Sequence, residues 1–168
     1  MINYMYFPKN KSIDNVSKCV ISSFKEIADK IDSDIHNHDS NKVLSIVRLQ
    51  LEKYGFKVET GKKQNDKIQI PVLYGKNGSI EKCFEVDAYS SESHYVVEVE
   101  AGRAVINYQF LKDFFEACMM ININKLCIAV RNVYQKHNDF DKVCTFFETL
   151  YSSGKFVAPL DAILIIGY

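Results

Sequence analysis

The hydrophobic period of this chain changes at Gly55, and that change limits the fold more than any other feature of the sequence. Before it, apolar side chains recur three and four residues apart: Val16, Cys19, Val20, Phe24, Ile27 and Ile31 within residues 13–31, then Val43, Leu44, Val47, Leu51 and Tyr54 within residues 41–54. That spacing gathers side chains on one face of an α-helix. A polar stretch over residues 32–40 separates the two predicted helices, and Gly55 ends the second. Beyond Gly55 the period becomes two. Residues 56–60, 67–74, 83–88 and 94–100 read as strands, the last two joined through Ser90-Ser91-Glu92-Ser93 into an antiparallel hairpin. Residues 104–120 return to helical spacing, with Val105, Tyr108, Leu111, Phe115 and Met119 as the expected core stripe. A strand over 125–130, a helix over 140–151 and a strand over 162–166 follow. Helices, then a run of strands, then alternation of the two predict an α/β sandwich around a mixed sheet.

Composition narrows the class further. A length of 168 residues with no internal repeat or linker predicts one domain over 1–168, with a helical part over about 1–39 and an α/β core over about 40–168. Lys plus Arg and Asp plus Glu number 21 each, so the net charge of zero gives no general attraction to nucleic acid. The densest basic cluster is Lys57, Lys62, Lys63 and Lys67 around Gly61, which reads either as a solvated turn or as a contact to a phosphate backbone. Five cysteines, without a Cys-x-x-Cys pair and several of them inside apolar runs, read as reduced core residues. The opening MINYMYFPKNK has no signal-peptide core, and no apolar run approaches the ~20 residues of a membrane span. A cytoplasmic protein without a membrane partner is expected.

The strand over 94–100 raises the chemical question. Tyr95-Val96-Val97-Glu98-Val99-Glu100 starts like a buried strand and then places two carboxylates where apolar side chains belong. Alternation puts Glu98 and Glu100 on the same face as Val96, about 7 Å apart at a rise of about 3.3 Å per residue. Like charges that close repel, and a half-buried carboxylate needs a partner, a proton or a cation. Asp87 lies on the face opposite Phe84 and Val86, and the hairpin brings it into near register with Glu98. Three carboxylates converging on one patch suit Mg²⁺, a hard cation that takes oxygen ligands and keeps waters for chemistry. A solvated edge strand gives the same letters, and the pattern alone leaves both readings open.

Other motifs carry less. His36-Asn37-His38 is a contiguous tripeptide in a polar linker, and Gly75-Lys76-Asn77-Gly78 lacks the strand-to-helix context of a phosphate loop and reads as a hairpin turn. His94 and His137 are isolated, without metal-ligand spacing.

Asp87, then Glu98-Val99-Glu100 at the end of a strand and a helix after it, resembles the active-site signature of the PD-(D/E)xK nuclease superfamily. That signature is an Asp, a variable spacer, then an acid, one hydrophobic residue and usually a Lys. The order of elements over residues 40–132 is also similar to that family's core, a restriction-endonuclease-like three-layer sandwich with a central mixed sheet flanked by helices. Two positions depart from the pattern. Val86 precedes Asp87 where Pro is common, and Glu100 occupies the usual Lys position, as in the acid-x-acid pair of BamHI-type restriction enzymes.

The resemblance implies a Mg²⁺-dependent endonuclease that hydrolyses DNA phosphodiester bonds, with Mn²⁺ as an alternative cofactor. Asp87 and Glu98, with the backbone carbonyl of Val99, would bind the metal. Glu100 would orient or deprotonate the attacking water, or hold a second ion. Arg103, Lys62 and Lys63 would meet phosphate, and Gln109 would stand near the site. An acid from the first core helix sometimes completes such sites; here the matching region offers only Asn41 or Asp39, with Glu52 too near the far end. DNA is the expected partner, engaged through loops and by a homodimer if the site is two-fold symmetric. Two rivals stay open: a catalytically inactive nucleic-acid-binding or assembly module of the same fold, favoured by Glu100 and the zero net charge, and an unrelated α/β protein with three surface acids.

Overall fold

Gly55 closes a helix as its sequence context predicts: α3 (Ser40–Glu52) ends just before it, and Gly55 itself has φ +79. This is seen in a computed structural model that describes residues 1–61 and 63–168; Lys62 lies outside the described residues. Asp39 starts α3 by accepting the Lys42 N–H at 2.8 Å. The helical region before it is two helices rather than one. In α1 (Asn15–Lys25), Asp14 caps the N-terminus by accepting the Val16 and Ser17 N–H groups, and α2 (Ala28–Ile31) follows after Ile27 leaves helical geometry at φ −123, ψ 16. Ile27 stays buried through the break, so the apolar spacing runs on while the helix does not.

The remaining elements are β1 (Asn3–Phe7), β2 (Lys57–Val58), β3 (Ile68–Tyr74), β4 (Ile80–Val86), β5 (Ala88–Ser90), β6 (Tyr95–Val99), α4 (Gln109–Met119), β7 (Lys125–Val130), β8 (Val133–Tyr134), β9 (His137–Asn138), α5 (Asp139–Ser153) and β10 (Ala162–Gly167). Six strands form a mixed sheet in the order β1-β10-β7-β6-β5-β2. β6, β7 and β10 run parallel, while β1, β5 and β2 pair antiparallel. The chain passes through α4 between β6 and β7 and through α5 between β7 and β10, which is what parallel neighbours require. The architecture is α/β in three layers. Tyr95, Val97 and Val99 of β6 pack with Val43, Val47 and Leu51 of α3 on one face; Val96 packs with Phe110 and Phe114 of α4 and Phe147 of α5 on the other. Every residue of β10 is buried, as in a strand covered on both faces.

Three differences from the sequence reading matter for the site. The predicted strand over 83–88 is divided: β4 pairs with β3 in a separate two-stranded sheet, β5 joins the main sheet, and Asp87 stands at the switch. The helix predicted from residue 104 begins at Gln109, because Gly102 (φ +94) and Tyr108 (φ 51) hold the preceding segment in turns. Its buried stripe is Phe110, Asp113, Phe114 and Ala117, whereas Tyr108, Phe115 and Met119 are exposed. Two aromatic contacts fix that rotation, since Phe110 and Phe114 both pack on Phe147 with ring centroids 6.2 Å and 5.3 Å away. The short strands β1, β8 and β9 carry no strong alternating signal and escape the sequence reading. Cys127 and Cys144 are buried as expected, and all five thiols are free. Among the described residues, no helix is long and apolar enough to cross a membrane.

Candidate acidic site

Asp87 is positioned by three strands at once. Its carbonyl accepts the Glu59 N–H at 2.8 Å, and its Oδ2 accepts the Val99 N–H at 2.8 Å. The β5–β6 register pairs Ala88 with Val97, so Asp87, one step earlier, comes opposite Glu98. Glu98 is in turn paired with Ile128 of β7. Glu100, just past β6, donates its N–H to the Ala129 carbonyl at 2.8 Å, and its own carbonyl accepts the Tyr168 hydroxyl at 2.9 Å. Alternation turns Glu98 toward the face that α4 covers, and there the helix supplies Gln109, Lys112 and Asp113.

The result is a polar cavity of about 160 Å³ whose walls include Glu59, Glu85, Asp87, Glu98, Glu100 and Asp113, with Lys67 and Lys112 as the cations. A larger cavity of about 490 Å³ beside Phe7 and Tyr151 holds a single acid, Glu148. Glu59 and Asp113 are 4% and 6% exposed. Asp87, Glu98 and Glu100 keep some accessible surface, but it faces the cavity, and the protein around them still removes most of their water. Burial, reinforced by Glu59 and opposed by the Val99 N–H, pushes the Asp87 carboxyl up to about 6. Burial, with Asp87 adding to it and Lys112 opposing, lifts Asp113 to about 7. Burial followed by Asp113 and Asp87 lifts Glu100 to about 8, and burial followed by the same two acids holds Glu98 well above the usual carboxylate range. Near neutral pH the cluster therefore retains protons that solvated acids would have lost.

The two lysines are placed unequally. Lys67 Nζ bonds Glu59 Oε1 at 2.8 Å and lies 3.7 Å from Glu85 Oε2, and the Glu59 bond raises the lysine's pKa. Lys112 bonds Glu116 at 3.2 Å one helical turn on, and its side chain is 57% exposed. Gln109 Nε2 reaches Asp113 Oδ1 at a long 3.4 Å, while Asp113 Oδ2 is buried with no hydrogen-bond partner.

Of the residues singled out in the sequence, Asp87, Glu98, Val99, Glu100 and Gln109 line this cavity together. Val99 contributes the N–H that fixes Asp87. Gln109 opens α4 instead of lying one and a half turns inside it. Arg103 and Lys63 are exposed and do not line the cavity. Of their basic neighbours, Lys67 is committed to acids and not free for a phosphate contact. Asp39 serves as the α3 cap and Glu52 is exposed at the far end of that helix, whereas Ser40 lines the cavity. Glu59, Asp113 and Lys112 were not foreseen. Gln109 and Asp113 stand four apart on one helix face, a spacing that was available. The other motifs stay apart: the stacked His36 and His38 rings lie 4.9 Å apart in a loop, and residues 75–78 form the hairpin turn between β3 and β4.

The donor chemistry fits a hard divalent cation, since the cavity presents several carboxylates and one buried carboxylate oxygen without a partner. The side chains stand apart, and among the described residues no group of three or more His, Cys, Asp or Glu is already gathered to hold a metal ion. Compared with protein-family models, with curated proteins and with solved structures, the chain finds no match in any of the three.

Proposed function

We propose that the chain is a restriction-endonuclease-like domain and a Mg²⁺-dependent endonuclease that hydrolyses DNA phosphodiester bonds at the acidic cavity, with Mn²⁺ able to replace Mg²⁺. The observation that carries this reading is the convergence of Asp87, Glu98 and Glu100 with Asp113 and Glu59 in one buried pocket. The order α3, β2, β5, β6, α4, β7 with parallel β6 and β7 supports it, because the acids stand at the start of β5 and the end of β6.

Asp87, oriented by the Val99 N–H, and Glu98, held by the β6–β7 pairing, would be the oxygen donors for the cation, together with the Val99 carbonyl. Mg²⁺ held by these residues would supply charge neutralisation at the scissile phosphate and a lower pKa for water. Glu100 takes the proton of the attacking water as its oxygen adds to phosphorus, the P–O bond on the far side breaks, and the departing oxygen takes a proton from solvent. A Glu100 carboxyl near 8 is poorly ionised at neutral pH, so the rate rises as pH increases toward 8, less steeply once a cation is bound. Lys112, the more exposed of the two lysines, offers its ammonium to a phosphate oxygen. The zero net charge leaves DNA affinity to local contacts, which a homodimer on a two-fold symmetric site doubles.

Supercoiled plasmid and single-stranded DNA, incubated with the protein and Mg²⁺ or Mn²⁺, test the reading. The expected result is cleavage by the wild type and loss of at least ~100-fold in rate for Glu98→Ala. Cleavage that survives the substitution contradicts the site. No cleavage, with no metal-induced rise in melting temperature, favours a non-catalytic module.

A further inference from the structure

We propose that Asp113, from α4, is a cation-binding residue of the acidic cavity, so that a hard divalent metal ion is held between the helix and the strand acids rather than by the strands alone. The inference rests on the cavity being a cation site and goes beyond it by assigning a ligand on a different element.

Asp113 occupies a core position. It belongs to the buried stripe of α4 with Phe110, Phe114 and Ala117, at the spacing where an apolar side chain is the ordinary choice. It is 6% exposed, and its Oδ2 has no hydrogen-bond partner. Its Oδ1 has only the 3.4 Å approach of Gln109, outside the usual N–H···O range of about 2.7–3.2 Å. A carboxylate buried without a partner is costly, and an apolar residue would remove the cost. The groups that share the cavity do not relieve it. Glu98 and Glu100 are acids themselves and can offer Asp113 no more than a shared proton, Lys67 is bonded to Glu59, and Lys112 is bonded to Glu116 with its side chain largely in solvent. Once the shared protons of the cluster are lost, the partner left for that oxygen is a cation in the cavity. A volume of about 160 Å³ has room for one with several of its waters, at roughly 30 Å³ per water. Hard oxygen donors select Mg²⁺ or Mn²⁺ over softer metals.

Metal-free protein titrated with Mn²⁺, with the free ion followed by electron paramagnetic resonance, tests the assignment. Asp113→Asn and Asp113→Ala are each expected to weaken Mn²⁺ binding by about tenfold or more and to reduce the Mn²⁺-induced rise in melting temperature. Glu52→Gln, exposed at the far end of α3 and outside the cavity walls, should bind like the wild type. The Asn variant keeps the volume of the side chain, and the Ala variant separates loss of a ligand from a change in shape. Wild-type affinity in both Asp113 variants, alongside weakened binding in Asp87→Asn, overturns the assignment and leaves the nuclease reading standing. Absence of Mn²⁺ binding by the wild type overturns both.

Discussion

Glu98 sits between Val97 and Val99 in a strand with one parallel and one antiparallel neighbour, and its environment decides how it behaves. Burial and the neighbouring acids keep its carboxyl protonated far above the usual range, so Glu98→Gln imitates its metal-free state. Thermal unfolding in EDTA should give the variant a melting temperature closest to the wild type near pH 4 and progressively higher than it as pH rises, because the unfolded wild type loses the Glu98 proton that the folded state retains. Lys67 presents the opposite case. Lys67→Met leaves Glu59, 4% exposed, without its cation, and urea denaturation should show a loss of about 2 kcal/mol. That is less than the ~3–5 kcal/mol of a fully buried broken pair because Lys67 is itself partly exposed. At this scale the sequence revealed Asp87, Glu98 and Glu100, since two lie two residues apart on a strand and the third on the strand paired with it. Glu59 and Asp113 each arrive alone on a separate element. A single acid in a strand or helix reads as a solvated charge until the fold buries it.

Helix α4 is where local pattern and tertiary packing disagree. Tyr108, Leu111, Phe115 and Met119 have the spacing of a core stripe, yet the helix turns Phe110 and Phe114 inward against Phe147. Periodicity alone cannot rank two overlapping apolar stripes, and the deciding contacts come from α5, more than 25 residues away along the chain. The rotation also delivers Asp113 and Lys112 to the cavity, so the same error in reading the stripe hid both. Phe114→Ala should cost about 3–5 kcal/mol by chemical denaturation, as expected for deleting a buried aromatic side chain, whereas Phe115→Ala, 49% exposed, should stay within about 1 kcal/mol. Equal losses, or the reverse order, would contradict the observed rotation. Strands β6, β7 and β10 were legible because buried parallel strands are written as continuous runs of Val, Ile, Leu and Ala. Strand β1 depends on antiparallel pairing with a strand at the other end of the chain, which no local window contains.

At the scale of the whole molecule, the acidic cavity works against stability in the absence of metal. Asp87, Asp113 and Glu100 have folded-state pKa values near 6, 7 and 8, all above their ordinary values of 3.8, 3.8 and 4.5. The folded protein therefore holds more protons than the unfolded chain between about pH 4 and pH 8, and stability must fall as pH rises through that window. The melting temperature in EDTA should drop by several degrees from pH 5 to pH 9, since ~1 kcal/mol moves it about 2–4 °C in a domain of this size. Mg²⁺ should restore more of that loss at pH 9 than at pH 5, because ionised carboxylates bind the cation and protonated ones do not. A melting temperature that is flat or rises over the same range would mean that the acids are better solvated than the fold implies. The α/β class and the mixed sheet were readable from the change of period at Gly55 and the later alternation of helix and strand. The divided strand at Asp87 was not, because β4 and β5 are continuous in sequence and separate only in their partners.

As proposed, the reactive divalent cation belongs in the cavity between β5, β6 and α4. Anomalous diffraction from crystals equilibrated with Mn²⁺ addresses it directly. The expected result is a Mn²⁺ peak about 2.1 Å from carboxylate oxygens of Asp87 and Glu98, with Asp113 drawn toward the same ion. Strong Mn²⁺ density only elsewhere on the surface, with the Asp87 and Glu98 carboxylates still apart, would contradict it.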